Sequence, residues 1–559
     1  MKLIDEIRLF LDAASIFLVS DNLKDTHSII RRYIDKQNKP MQIAIIGKIK
    51  ASKSTLVNAI LETDNVVQTG AMEMTYNVSW LKYGVAHNSV TVYYKDGHTE
   101  VISKDKWCYW ANADSNRDKI RDEISYMEIP FDNHILKDIN IIDTPGLLSG
   151  GIDAQNTIDF LSKSDHKPDA IVVLFSGALN EEVASVIKEF QNGDKGVSLT
   201  PINTLGVLSK IDKQWKPCDP KITLSYPLER ATKICNRVIN DSNTNHLFYN
   251  IYPLNSLLSI ASFSISDKDI ELLKLFNATK VESKLINIDR FISQYTNEEL
   301  EYYPCKCYNK GYCLKEETIS PCRVDIKQPI DFDIDPDCIR RYLFMKFDRF
   351  GIVSICKFLE QNPKASLGDI KQYLREQSGF DTFIKVLKNH FGERASLIKM
   401  QSSIGTLLYD LKNESDNLSA KGKIDASNIV SQIHTTVKNK LRESSEFKLF
   451  EILIELYDGK LSKLSSKLYN TYYEQADLEN DIKCLAGENG ESFYSKLGIT
   501  GEISIERLKD SCSDKIKKWR AISVEYNQNA HQYYRLSKDM YEAYGNLKVQ
   551  IEQVTEKMA

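Results

Sequence analysis

The sequence predicts an α/β domain, with a mixed and mostly parallel sheet covered by helices on both faces, joined to a long all-α bundle. Three observations carry this. Short apolar runs alternate with helical stretches across the first half of the chain, the pattern of a parallel sheet buried on both sides. From Phe380 onward apolar residues step by three and four, as Leu397, Met400, Ile404, Leu407 and Leu411 do. The chain of 559 residues is also too long for a single core.

Taken in order, residues 1–38 read as helical, with Ile29, Ile30, Tyr33 and Ile34 extending an apolar face until Lys39-Pro40 breaks it. Met41–Ile46 reads as a strand and Ser54–Leu61 as a helix. Val78–Tyr83 and Val90–Tyr94 are two strands about a turn at Gly84. Ile139–Ile142, Ala170–Phe175, Leu205–Leu208 and Phe248–Tyr252 complete the expected strands. A stretch of about 265–335, holding Cys305, Cys307, Cys313 and Cys322, reads as an irregular insertion. Its C-x-C-x5-C-x8-C spacing is a poor match to the paired C-x2–4-C of structural zinc, so reduced, packed thiols are the expectation. Helical pattern resumes near Asp337. Glycine-rich connectors at 487–490 and 498–501 divide the C-terminal helices. The last stripe runs through Tyr533, Leu536, Met540, Tyr544, Leu547, Ile551 and Val554.

Composition narrows the function classes. Net charge is −4 with 27% charged residues, which gives no global attraction to nucleic acid or anionic membrane. The N-terminal apolar residues are interrupted by Asp5, Glu6, Arg8 and Asp12, unlike a secretory signal. The 11 cysteines fit reduced thiols and a cytoplasmic location, with peripheral contact at the inner membrane as an extension. Lys460–Leu468 and Phe447–Ile454 read as core helix with solvated lysines; the rival reading is a lipid-facing tip.

The chemistry sits in motifs at predicted strand ends. Gly47-Lys48-Ile49-Lys50-Ala51-Ser52-Lys53-Ser54-Thr55 lies between a strand and a helix, where backbone N–H groups and a helix N-terminus can cradle phosphates. Lys53 is placed to reach the β- and γ-phosphates and Ser54 to ligate Mg²⁺. Ser52 occupies the usual glycine position, a strain in a loop that must approach phosphate. Roughly ninety residues later, Asp143-Thr144-Pro145-Gly146 is similar to the motif of G proteins, a likeness that implies a metal held through water at Asp143 and the γ-phosphate sensed at the Gly146 N–H. Ser209-Lys210-Ile211-Asp212 matches the base-selecting pattern Asn/Thr-Lys-x-Asp. There Asp212 would accept from guanine N1 and N2, and adenine would leave it unpaired. Thr75 is the expected switch threonine, a metal ligand, with Thr69 a competitor. Asn255 and Ser256 would back the guanine O6 through backbone N–H groups. Together these predict a P-loop GTPase domain binding GTP or GDP with Mg²⁺ as cofactor.

On these motifs the sequence resembles bacterial dynamin-like GTPases. Thr75–Gly97 is similar to their switch threonine followed by two strands, and Lys50 falls where many bacterial members carry lysine. Arg349-Phe350-Gly351-Ile352 and Gln377-Ser378-Gly379-Phe380 resemble the end of their G domain. The resemblance implies GTP hydrolysis, pairing of G domains in a homodimer or with a related dynamin-like protein, stalk rearrangement and action at membranes. It also implies Lys50, Lys53, Ser54, Thr75 and Gly146 as catalytic residues; Lys50 would add charge beside the β–γ bridge. The expected division is 1–39 as a neck helix, 40–392 as G domain and 393–559 as neck and trunk. The rivals are a nucleotide-binding switch or scaffold with little hydrolysis, a long-helix ATPase and an assembly protein with a relic G domain. No nucleic-acid partner is expected.

Overall fold

The computed structural model describes residues 3–18, 20–48, 51–63, 78–85, 89–103, 123–144, 167–177, 179, 181–191, 200–214, 226–241, 243–244, 246–277, 336–458, 475–490, 492–501, 504–525 and 531–558. Two helices, α1 (Leu3–Phe17) and α2 (Lys24–Asn38), precede the sheet. The strands are β1 (Met41–Gly47), β2 (Val78–Tyr83), β3 (Ser89–Tyr94), β4 (Thr99–Ser103), β5 (Ile124–Phe131), β6 (Ile139–Asp143), β7 (Ala170–Phe175), β8 (Thr204–Ser209) and β9 (Asn250–Leu254). They form one sheet in the order β4-β3-β5-β2-β6-β1-β7-β8-β9. The run β6-β1-β7-β8-β9 is parallel throughout, and β2 joins it antiparallel to β6. The mixed, mostly parallel sheet is therefore as expected.

Both faces of the parallel half are buried, so its strands are almost wholly apolar. Alternate residues divide between two cores. Ile43, Ile45, Ile141, Val172 and Leu174 face one, packed by Leu56 and Ile60 of α3 (Lys53–Ile60). Ala44, Ile46, Ile142, Val173 and Phe175 face the other, closed by α4 (Glu181–Gln191) and α5 (Tyr226–Asn240) through Val183, Ile187, Ala231 and Cys235. A third apolar cluster unites α6 (Ser256–Ser264), α7 (Asp267–Asn277), α8 (Pro336–Gln361) and α9 (Leu367–Ser378).

Two strands escaped the sequence reading. In β4 only Ile102 is fully buried, because it is the sheet's edge and offers little apolar signal. In β5, Pro130 weakens the strand pattern, but it stands near the strand's end, where ladder bonding is already finishing. The β9 strand lies two residues later than the expected Phe248–Tyr252. The N-terminal stretch is broken at Asp21–Leu23. The first residues of the expected irregular insertion are helical in α7; the four cysteines at 305–322 lie outside the described residues, as do Lys460–Leu468.

Beyond α10 (Phe380–Val386), a π-helical turn at Leu387–Glu393 leads to α11 (Ala395–Ala420) and α12 (Ile424–Glu443). These two pack with α1 and α2 in a bundle around Ile7, Leu11, Ile30, Leu407, Val430 and Val437. Then follow α13 (Ser445–Tyr457), α14 (Gln475–Leu485), α15 (Phe493–Leu497), α16 (Ile505–Glu525) and α17 (His531–Met558). Phe447, Phe450, Ile452, Leu453 and Ile454 of α13 are buried in the bundle, which favours the core reading of that segment over an apolar tip. No described helix is long and apolar enough to cross a membrane. Cys235, Cys356, Cys484 and Cys512 are buried thiols.

Candidate nucleotide site

The site residues gather at the carboxyl ends of the parallel strands, where open α/β sheets bind ligands. Register explains the convergence. Ile45 of β1 pairs with Asp143 of β6, Gly47 with Leu174, and Ser209 of β8 with Leu254 of β9. One end of the sheet thus presents Gly47, Asp143, Ser209 and the start of α6.

Gly47 ends β1 so close to β7 that an added Cβ would meet the Leu174 carbonyl oxygen at 2.7 Å. The chain then turns, Ala51 N–H donating to Lys48 O at 3.1 Å. Ser52 is left-handed, with φ 67° and ψ 32°, and its carbonyl accepts from Leu56 N–H in the first turn of α3. The loop geometry demands what glycine supplies freely, and serine holds it at a cost of roughly 1–2 kcal/mol. Lys53 Nζ bends back to donate to Gly47 O at 3.4 Å and Lys48 O at 3.2 Å. Its ammonium is therefore held across the loop by the Gly47 and Lys48 carbonyls.

Ser54 opens α3 and donates its hydroxyl to Asp143 Oδ2 at 3.2 Å. Both side chains are buried, Asp143 completely. Thr144 Oγ1 donates to Ile45 O at 2.8 Å and so fixes the end of β6 against β1. A hydroxyl facing a carboxylate is a hard-oxygen pair suited to Mg²⁺, and these two residues fit the expected metal. Ile49, Lys50, Thr75 and Gly146 lie outside the described residues. The strand that follows Thr75 begins with Val78, and its Ser79 pairs with Asp143.

In the base motif, Ser209 Oγ donates to Phe175 O at 3.3 Å, tying β8 to β7. Lys210 takes the left-handed conformation at φ 55°, which turns the chain into a short 3-10 segment, Ile211–Gln214, that carries Asp212. Asn255 departs from expectation. Its N–H donates to Ser378 O at 2.9 Å and its Oδ1 accepts from Leu258 N–H at 3.1 Å, so it caps α6 and has no main-chain donor left for a base. Ser256, next in line, is buried, and its Oγ has no hydrogen-bond partner among the described residues.

Gly379 was not assigned a role from sequence. It is left-handed at φ 77°, and a Cβ there would lie 2.6 Å from Pro253 O. The α9–α10 joint is thereby pressed onto the loop that carries Asn255. The Ser-Gly before an apolar helix start was the available signal.

A P-loop with its lysine, a buried serine–aspartate pair at adjoining strand ends and a Ser-Lys-Ile-Asp turn after β8, two strands from β1, are the arrangement of a P-loop GTPase-like domain. Comparison with known proteins carries this further. The Dynamin family profile matches residues 43–211. Isoniazid-induced protein IniC of Mycobacterium tuberculosis is 28% identical over 262 residues, 45% of this chain and 50% of that protein. Dynamin-like protein 2 of Campylobacter jejuni is 26% identical over 132 residues, 24% of this chain and 21% of that protein. The chain thus spans half or less of the length of these curated relatives. A solved chain from an oligomerised bacterial dynamin pair, described as sensing and tethering membranes, aligns over 99% of this chain and 77% of its own at 13% identity. Its TM-score is 0.30, too low to support any argument. Residues 43–211 are thus similar to the Dynamin family, and a bacterial dynamin-like protein is among the relatives.

Proposed function

We propose that this chain binds GTP with Mg²⁺, hydrolyses it on pairing of its G domains, and transmits the result to its helical stalk at a membrane surface. The observation that carries the reading is the buried Ser54–Asp143 pair beneath the Gly47 loop. Mg²⁺, when bound, would be held by Ser54 with Asp143 behind a water, joined by Thr75, and would offset charge on the phosphates.

The chain's own residues then take these parts. Lys53 exchanges its two loop carbonyls for phosphate oxygens. Gly47 to Thr55 line the phosphates, and Gly146 reports the γ-phosphate. Lys210 covers the base, Asp212 accepts from it, and Ser256 offers its N–H in place of Asn255. Lys50 places a charge by the bond that breaks. We assign 1–39 and 393–559 to the stalk and 40–392 to the G domain. The π-helical turn at Leu387–Glu393 would be the joint between them.

GTP turnover measured against protein concentration tests the pairing. Specific activity that climbs with concentration is expected; a flat profile from low to high micromolar would count against it. The left-handed Ser52 favours one rival, a nucleotide switch that hydrolyses poorly and acts through protein partners. Tight GTP binding with no turnover at any protein concentration, with or without vesicles, would establish the rival.

A further inference from the structure

We propose that a groove at the end of the sheet remote from the nucleotide binds a small organic anion, one with a flat or apolar body and a single negative group. It stands apart from the nucleotide reading and uses none of its residues. The groove has a volume of about 520 Å³ and opens between the start of β1, the start of β6 and the finish of β2. That volume suits a small ligand enclosed on several sides.

Register sets its lining. Gln42 pairs with Asn140, and Ala44 with Ile142, which also faces Trp80. Side chains alternate, so Asn140 points to the same face as Ile142 and Trp80, and Lys82 follows two residues along from Trp80. Higher on this face α4 and α5 cover the strands. At its foot the groove remains, with Trp80 among its walls.

Two observations point to an occupant. Asn140 is 5% exposed, lines the groove, and its side-chain amide makes no hydrogen bond with any described residue. With the residue otherwise buried, the amide is open to the groove, the space a ligand could fill. The rim is cationic. Lys137 Nζ stands 4.8 Å from the Tyr83 ring centre, and Lys82 Nζ 4.4 Å from that of Trp80. Lys82 is neutralised by an ion pair with Glu128. Lys39 and Lys137 have no carboxylate within ion-pair distance among the described residues, so two positive charges at the mouth are uncompensated. The amide reads a polar atom at the bottom, the rings receive an apolar body, and the two lysines hold its charge. A flat anionic surface would meet the lysines without reaching Asn140, so the geometry points to a small molecule. The groove touches Lys39, whose carbonyl accepts from the buried Lys399 of α11, so an occupant sits against the joint between sheet and stalk.

Calorimetric titration of the full chain, saturated with GDP to close the nucleotide pocket, tests this. The probe is naphthalene-2-sulfonate, with the neutral naphthalene-2-sulfonamide as its control. We expect one saturable site for the sulfonate, at least tenfold weaker binding of the sulfonamide, and weak competition by inorganic phosphate. The rim variant Lys39→Glu/Lys137→Glu should weaken sulfonate binding at least tenfold, with GDP affinity and thermal midpoint unchanged. Asn140→Leu should weaken it while retaining the rim charge. No saturable binding, equal binding by the rim variant, or phosphate competing as well as the sulfonate would each overturn the proposal.

Discussion

Ser52 is where sequence and conformation disagree most. At φ 67° it occupies backbone space that a side chain tolerates poorly. Ser52→Gly should raise stability by about 1 kcal/mol, read as a higher thermal midpoint without nucleotide. If loop strain also limits turnover, the same variant should hydrolyse GTP faster; a lower midpoint would show that the serine side chain contributes more than its strain costs. Asp212 offers a second test. Replacing its carboxylate by the amide in Asp212→Asn puts a donor where guanine also donates, and should cost GTP about 2 kcal/mol of affinity. Competition by ATP should change little. Equal loss for both nucleotides would mean that Asp212 shapes the pocket without reading the base.

Between elements, a buried polar cluster joins the sheet to the stalk. His390, in the π-helical turn, bonds through Nε2 to Ile202 O at 2.8 Å and stacks on Tyr249 just before β9, the ring centres 3.8 Å apart. Arg394 Nη1 lies 3.3 Å from His390 Nδ1. Nε2 therefore carries the proton and Nδ1 accepts. Burial first, and then the Arg394 charge, push the His390 pKa down to about 3. An unfolded histidine takes its proton near pH 6.5. Stability from neutral His390 is thus full above that value and drains as pH falls from about 6.5 towards 3, by up to ~1.4 kcal/mol per pH unit. His390→Gln should show a shallower loss of thermal midpoint between pH 6.5 and 4.5 than the parent chain. Parallel curves would assign the acid sensitivity to other groups.

The trunk has its own buried charge. Asp481 in α14 accepts from Trp519 Nε1 at 3.1 Å and Lys518 Nζ at 2.9 Å, and pairs with Lys515, all three partners being in α16. Tyr544 of α17 donates to its backbone carbonyl. Removing the carboxylate takes this acceptor from two ammonium groups and an indole N–H. Asp481→Ala should therefore cost about 3 kcal/mol, seen as a lower denaturation midpoint. A change below 0.5 kcal/mol would mean that water replaces the carboxylate at once.

Across the whole molecule, one helical bundle unites α1 and α2 with α11 and α12. Lys399 Nζ donates to Gln37 O at 3.1 Å and Gln37 Nε2 donates to Ser403 Oγ at 2.7 Å, so α2 is tied to α11 just where the chain enters β1. On the proposed division, a movement of this bundle would reach the sheet through two covalent points, before Met41 and after Leu387. Lys399→Met keeps the packed stem and removes the ammonium that bridges them. In the full chain it should leave GTP affinity unchanged and weaken the dependence of turnover on protein concentration, if stalk and G domain are coupled through this joint.

The parallel core was legible because each strand buried on both faces must be an unbroken apolar run, as Ala170–Phe175 is. The placing of the Gly47–Ser54 loop, Asp143 and Ser209–Asp212 at strand ends was legible because each motif directly follows an apolar run. Those demands are local, and local sequence expresses them. The edge strand β4, the capping work of Asn255, the pressure of Gly379 on Pro253 and the His390–Arg394 junction were decided only in three dimensions. Each depends on a partner far along the chain: Ser378 for Asn255, Pro253 for Gly379, Ile202 for His390. Linear spacing carries no record of such meetings, since a hydrogen bond or a close approach exists only once the sheet has set which strand ends lie side by side.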